Sequence, residues 1–417
     1  MTTKTLAYTL SLSLLATVAS AQEWARFRGS DGSAISAAKT IPTRLSAGDI
    51  NWQIDLPGTG HSSPVAWGDR LFLTVGDEAK GGISLVCLDA AKGGIVWNKS
   101  FGLNPFRKHK YNSYASATPV LDAERVYVGW SDPDKYTFVA LTHGGEKVWE
   151  RDLGPFISQH GSGASAMIHD GRIILNSMKD DDSFIIALDP KSGRTLWRTE
   201  RPSQVAAYGT AAVYEPKGGK PQLIFTSQAD GIFALDPMTG KQLWQMPGLF
   251  TKRSASSVVV AGDVCWGTCG SGGGGNYVVA VRPGVPELGR KPELAWELRR
   301  SSMSPYVPTA VVQGDFAYLL SDAGFLSCIR HQSGEVVYSE RLNTGGSHGA
   351  NFFSSPVIID GRLYCLTTDG KLYVVQTGPE YKVLSDFDFH DTCHATPAVH
   401  KGRLYVRTNG KLFSIGG

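Results

Sequence analysis

Residues 187–197 read Ala187-Leu188-Asp189-Pro190-Lys191-Ser192-Gly193-Arg194-Thr195-Leu196-Trp197. Residues 234–244 repeat the pattern as Ala234-Leu235-Asp236-Pro237-Met238-Thr239-Gly240-Lys241-Gln242-Leu243-Trp244. In both, glycine follows aspartate by four positions and tryptophan by eight. Working outward, Leu88-Asp89, Gly93 and Trp97 give a third copy. Gly145 and Trp149 keep the second half of the pattern, Trp296 follows an insertion, and Arg330, Gly334 and Tyr338 form a degenerate copy. Trp52 stands alone near the N-terminal end. The aspartate starts a tight turn, and the glycine supplies a positive φ that other residues resist.

A second signature precedes each copy: Ser/Thr-Pro-Val, a short turn, then Arg-Leu-Tyr or a close variant. It occurs at Ser63-Pro64-Val65, Thr118-Pro119-Val120, Ser355-Pro356-Val357 and Thr396-Pro397-Ala398, with weaker copies near Ala166, Ala212, Val258 and Ala310. The period of about 41 to 55 residues falls in the range of propeller blades. Each unit reads as four short strands, A to D, with the tryptophan on D docking against the next unit. One such sheet cannot bury both faces alone, and radial stacking solves this. The expected fold is all-β: an eight-bladed β-propeller of four-stranded antiparallel blades with almost no helix. The last unit stops after its strand C, while residues 51–56 form a strand D without its own A to C. The two halves are expected to close the ring. Seven blades with an accessory sheet is the competing count.

Composition agrees. Glycine is 48 of 417 residues, charged residues are 19% and aromatics 10%, which favours many short strands and turns over long solvated helices. A net charge of +3 is too balanced for a nucleic-acid partner. Lys4, the apolar stretch 6–18 and Ala19-Ser20-Ala21 read as a secretory signal peptide over residues 1–21. Residues 22–49 then form a lead-in and 50–417 the propeller. No cysteine sits at the cleavage point to carry a lipid, and no membrane span is expected. The reading is a periplasmic or secreted monomer. Cys265 and Cys269 fall four apart on one strand, too far to bridge. Cys87 and Cys328 read as core residues, and the pairing of Cys365 with Cys393 is left open.

The Ala-Leu-Asp-x-x-Thr-Gly-x-x-Leu-Trp repeat resembles the pyrroloquinoline-quinone-type (PQQ-like) β-propeller repeat over about residues 50 to 417. Trp24-x-x-Phe27-Arg28-Gly29 is similar to the lead-in of exported proteins of that superfamily. The resemblance implies an eight-bladed ring. It covers quinoprotein dehydrogenases, which bind PQQ and Ca2+ in the ring, and the BamB-like scaffold of the outer-membrane assembly machinery. Fold does not choose between them. The adjacent-cysteine bridge of many such dehydrogenases is absent, and no confident match to their Ca2+ ligands or catalytic aspartate is present.

Loops joining strand D to the next strand A open on one face of a propeller, at the channel mouth. Six of the ten histidines fall there: His61, His109, His160, His348, His390 and His394. The expected ligand-binding set at the mouth is His61, His109, Lys110, Asn112, His160, Tyr208, Arg253, His348, Asn351, Asp391 and His394. Converging imidazole, amide and carboxylate groups hold a metal, a sugar or a carbonyl compound, and the cations favour an anion. Trp52, Trp97, Trp149, Trp197, Trp244 and Trp296 are assigned to blade docking. Asp180-Asp181-Asp182 reads as a solvated turn without calcium-loop spacing. The G-x-S-x-G match at 345–349 and the glycine run at 270–275 read as loops. Three functions remain open. The first is an exported binding or scaffold protein of the cell envelope, with an envelope protein, glycan or small molecule as its partner. The second is a small PQQ-dependent dehydrogenase of alcohols or sugars, and the third a polysaccharide lyase or hydrolase.

Overall fold

The computed structural model describes residues 23–77, 79, 81–203, 205–300, 302–342 and 351–417. The expected signal peptide, His348 and the 345–349 motif lie outside them. Eight antiparallel sheets follow one another in chain order. Blade 1 comprises Val65–Trp67, Arg70–Asp77, Gly82–Asp89 and Ile95–Gly102. Blade 8 takes Ala398–His400, Arg403–Arg407 and Lys411–Ile415 from the C-terminus and Ile50–Asp55 from the N-terminal side. Ile50 opposes Ile415 and Asp55 opposes Lys411, so the ring closes antiparallel as expected. The only helices among the described residues are two short 3-10 turns, Ala47–Asp49 and Pro286–Leu288.

First strands of neighbouring blades touch one another around the channel. Strands B and C are buried almost throughout, and strands D are half exposed at the rim. The apolar core therefore lies between blades. One cluster joins Phe72 and Leu85 of blade 1 to Val128 and Val139 of blade 2. Another joins Ile174 and Ile185 of blade 3 to Phe225 and Phe233 of blade 4. All six cysteines are buried and free, with Cys265 and Cys269 on one strand, Val264–Cys269.

The fixed glycine-to-tryptophan offset has a steric cause. The rings of Trp52, Trp97, Trp149 and Trp296 lie on Gly93, Gly145, Gly193 and Gly334 of the following blade, where an added Cβ would fall 2.6 to 2.9 Å away. These glycines also hold φ between +69° and +87°, so backbone and packing both exclude a side chain. The indole N–H groups of Trp97, Trp149, Trp197 and Trp296 donate to carbonyls of the next blade at 2.9 to 3.0 Å. Trp244 departs from this pattern. It donates to Gln222 of its own blade, whose amide reaches Gly284 in the insertion of blade 5.

The Ser/Thr before each strand A links blades as well. The N–H of Ser63 donates to Thr118 Oγ1, that of Thr118 to Ser165 Oγ, and that of Thr210 to Ser257 Oγ, each at 3.0 Å. Ser257 donates to Thr309, Thr309 to Ser355 and Ser355 to Thr396 at 2.9 to 3.0 Å. Between blades 3 and 4 the Thr210 hydroxyl donates to the Ser165 carbonyl instead. Six of these eight hydroxyls thus satisfy an N–H of the preceding blade that no strand pairs.

The lead-in threads the channel. Trp24 exchanges backbone hydrogen bonds with Ala66 of blade 1, and the Ala25 carbonyl accepts from Leu121 of blade 2. Arg28 Nη1 and Nη2 donate to the Thr309 and Ala310 carbonyls of blade 6, both at 2.6 Å. Ile35–Ser36 then adds a parallel fifth strand to the inner edge of blade 7.

Candidate functional site

The lead-in divides the channel into two cavities, and Phe27 lines both. The upper cavity is a cup of about 900 Å3, walled by loops entering strands A and by hairpins joining strands B and C. The eight hydroxyl residues Ser63, Thr118, Ser165, Thr210, Ser257, Thr309, Ser355 and Thr396 ring its lower wall. Above them stand two pairs of histidines. His394 Nδ1 lies 2.9 Å from His61 Nε2, so one ring donates its proton to the other. His109 and His160 meet edge to face, with ring centres 4.5 Å apart.

His61, His394 and His160 are held neutral. Burial pushes His61 down to about 2, helped by His394 and the cations Arg407 and Lys108. Burial alone lowers His394 to about 4. His160 also falls to about 4, through burial first and then Arg253 and His109. Arg407 lies behind the first pair, where its Nη1 donates to the Ser62 carbonyl and hydroxyl at 2.8 and 2.6 Å. Neutral imidazoles each present one donor and one acceptor. The cup is thus rich in two-way hydrogen-bonding groups. Arg253 supplies a cation near the ring of Tyr208, whose hydroxyl pairs with Ser158 at 2.8 Å. Tyr111 and Phe353 pack edge to face, and Phe353 continues onto His394.

A family model described as outer membrane protein assembly factor BamB matches residues 37–177 and 84–337, well over half of the chain. The chain belongs to this BamB family. Among solved structures, BamB from Moraxella catarrhalis is similar at 17% identity and a TM-score of 0.61, over 88% of this chain and 96% of that one. A europium-containing methanol dehydrogenase reaches a TM-score of 0.68 at 10% identity, over 95% and 98%. The quinohemoprotein alcohol dehydrogenase from Comamonas testosteroni reaches 0.64 at 12% identity, over 95% and 80%. At such identities the likeness is one of fold. No curated relative matches the sequence significantly.

In this BamB-family propeller, His61, His109, Asn112, His160, Tyr208, Arg253, Asn351 and His394 all line the cup. Asn112 also ties down the His160 loop by donating to the His160 and Ser162 carbonyls. Lys110 and Asp391 are not among the lining residues. Lys110 is exposed, and its ammonium lies over the Tyr111 ring, 4.7 Å from the ring centre. The Asp391 carboxylate instead accepts the Thr392 N–H and shapes its own loop. Asp180 likewise accepts the N–H groups of Ala206 and Gln159.

The sequence pattern missed Asp322, the one carboxylate among the described lining residues of the cup. It sits in the B–C hairpin of blade 6 and accepts the N–H groups of Tyr306 and Val307 at 2.6 and 3.2 Å. Burial outweighs those bonds and lifts it to about 6. Phe27, Tyr111, Tyr306 and Phe353 were missed too. Ca2+ takes six to eight oxygen ligands with carboxylates prominent among them. Here the one carboxylate is already engaged by two amides, and no three His, Cys, Asp or Glu converge among the described residues. This donor set does not fit a Ca2+-held quinone.

Proposed function

We propose that this BamB-family protein is an exported binding protein of the cell envelope, whose cup holds a small polar ligand of sugar-like chemistry bearing an anionic group. One observation carries the reading: a cup floored by Phe27 that combines two histidine pairs, aromatic faces and the Arg253 cation. A volume of about 900 Å3 lies within the usual range of small-molecule sites. Imidazole, amide and hydroxyl groups serve both donors and acceptors of a polyol, tyrosine and phenylalanine faces cover its apolar side, and the guanidinium takes a carboxylate. The residue 1–21 signal reading supports export. The imidazole-rich donor set argues against the quinone-dehydrogenase reading.

The test is calorimetric titration of the purified protein with an acidic disaccharide, digalacturonate, and with the neutral disaccharide maltose. We expect saturable binding that favours the acid and weakens at least tenfold in Arg253→Gln and His160→Ala. No heat with either sugar, or Ca2+-dependent saturable binding of PQQ in a parallel titration, would overturn the reading.

A further inference from the structure

Below Phe27 lies the second cavity, about 580 Å3, at the opposite end of the channel. Its walls come mainly from strands A and the A–B turns, including Gly262 and Gly314, and it shares Thr210, Ser257 and Thr309 with the lower wall of the cup. Arg26 lines it with only 6% of its surface exposed. The side chain is anchored at one point, Nε donating to the Ser30 carbonyl at 3.2 Å. The two Nη atoms have no hydrogen-bond or ion-pair partner among the described residues. Arg28, two residues on, places both of its Nη atoms on carbonyls. The contrast marks Arg26 as a buried cation with an open fork.

Gly32 explains how the fork is seated. An added Cβ there would fall 2.5 Å from Arg26 Nη2 and 2.7 Å from Nη1, and the residue holds φ +82°. The guanidinium therefore lies flat on a glycine, with its outer edge free. Asp31 attracts this guanidinium but forms no ion pair with it, and a planar carboxylate satisfies both Nη atoms at once. Burial, partly offset by the Asp31 carboxylate, lowers the Arg26 pKa to about 10, so it stays charged at neutral pH. Two further features narrow the ligand. Met167, Val213 and Val260 give the cavity apolar walls. Asp31 and Glu215 also line it and are exposed, so a polyanion meets more repulsion there than a monoanion.

We propose that the lower mouth is a second binding site, which takes one carboxylate with an apolar body against Arg26. The carboxylate comes either from a free organic acid or from the chain end of a protein partner. This inference stands apart from the reading of the cup. The experiment titrates the purified protein with hexanoate, with its neutral isostere hexanamide, and with the peptide Gly-Ala-Val-Leu bearing a free or an amidated C-terminus. Saturable hexanoate binding at least tenfold tighter than hexanamide points to a free acid. A free-ended peptide favoured at least tenfold over its amide points to a chain end. In either case Arg26→Gln should abolish the preference, Arg26→Lys should retain part of it, and Arg253→Gln should leave it unchanged. Should Arg26→Gln fold poorly, the wild-type protein gives the answer through phenylglyoxal labelling, with Arg26 protected by the bound acid. Equal binding of acid and amide, no binding by any probe, or unprotected Arg26 would overturn the proposal.

Discussion

At the residue scale, neutral histidines buried beside cations make the cup sensitive to acid. A histidine with a lowered folded pKa binds fewer protons than the same group in the unfolded chain, below the ordinary value of 6.5. Stability then falls as pH drops from about 6.5 toward the folded values of about 4 for His160 and His394. The slope is at most about 1.4 kcal/mol per pH unit for each group. Asp322 acts with the opposite sign. Its raised pKa of about 6 gives a contribution that is present in acid and lost as pH rises through that value. Urea unfolding at pH 7, 6 and 5 should therefore show declining stability, and His394→Gln should flatten the slope. An unchanged slope in that variant would count against burial as the cause. A second residue-scale prediction concerns blade docking. Gly193→Ala places a methyl 2.7 Å from the Trp149 ring at φ +69°. The left-handed backbone costs about 1–2 kcal/mol and the overpacking about 1–3 kcal/mol. A loss of about 2–5 kcal/mol in urea unfolding is expected, against about 1–2 kcal/mol for Gly171→Ala, since open space surrounds Gly171 and only its φ of +67° resists.

At the element scale, the lead-in is the piece the repeat could not place. Trp24-x-x-Phe27-Arg28-Gly29 was legible as a motif, but its partners Ala66, Leu121, Thr309 and Ile358 are spread over blades 1, 2, 6 and 7. Periodicity positions elements that repeat and says nothing of a segment that occurs once. The same limit applies to the loops. Their place at the channel mouth followed from strand order, whereas the seating of Lys110 over Tyr111 and the loop-shaping role of Asp391 depend on local geometry. Asp322 stayed hidden because its hairpin sequence, Ser321-Asp322-Ala323-Gly324, reads as an ordinary tight turn. Once placed, the lead-in becomes testable. Arg28→Ala leaves the buried Thr309 and Ala310 carbonyls without these partners, at about 1–3 kcal/mol each. A stability loss of about 2–6 kcal/mol and new protease cleavage within residues 23–36 are expected. Unaltered protease resistance would show that the other lead-in contacts suffice to hold the plug.

For the whole molecule, the repeat made the architecture legible because each blade must solve the same burial problem with the same few residues. The closure follows from that problem. Residues 50–55 lie about 360 positions from the strand they pair with, yet they complete blade 8 as the outermost strand. They also supply Trp52, whose ring lies on Gly93 of blade 1 and 6.0 Å from Tyr405 of blade 8. Removing this strand has two effects at once. It leaves the edge of Lys411–Ile415 unpaired, which is a template for aggregation, and it opens the contact between the last blade and the first. In an open solenoid, losing a terminal element destabilises mainly its neighbour. In a closed ring, the blades on both sides of the break lose contacts. A chain beginning at residue 56, which also loses the lead-in contacts, should therefore unfold at lower urea concentration and aggregate at the concentrations where the intact protein stays dispersed, and the part due to the strand is read from rescue by the strand peptide. A synthetic peptide of residues 45–58 added in trans should restore the soluble form, and the same peptide carrying Trp52→Ala should restore it less well. If the truncated chain matched the intact protein in urea unfolding, the ring would be held by its other blade contacts and the N-terminal strand would be only an ornament of the edge.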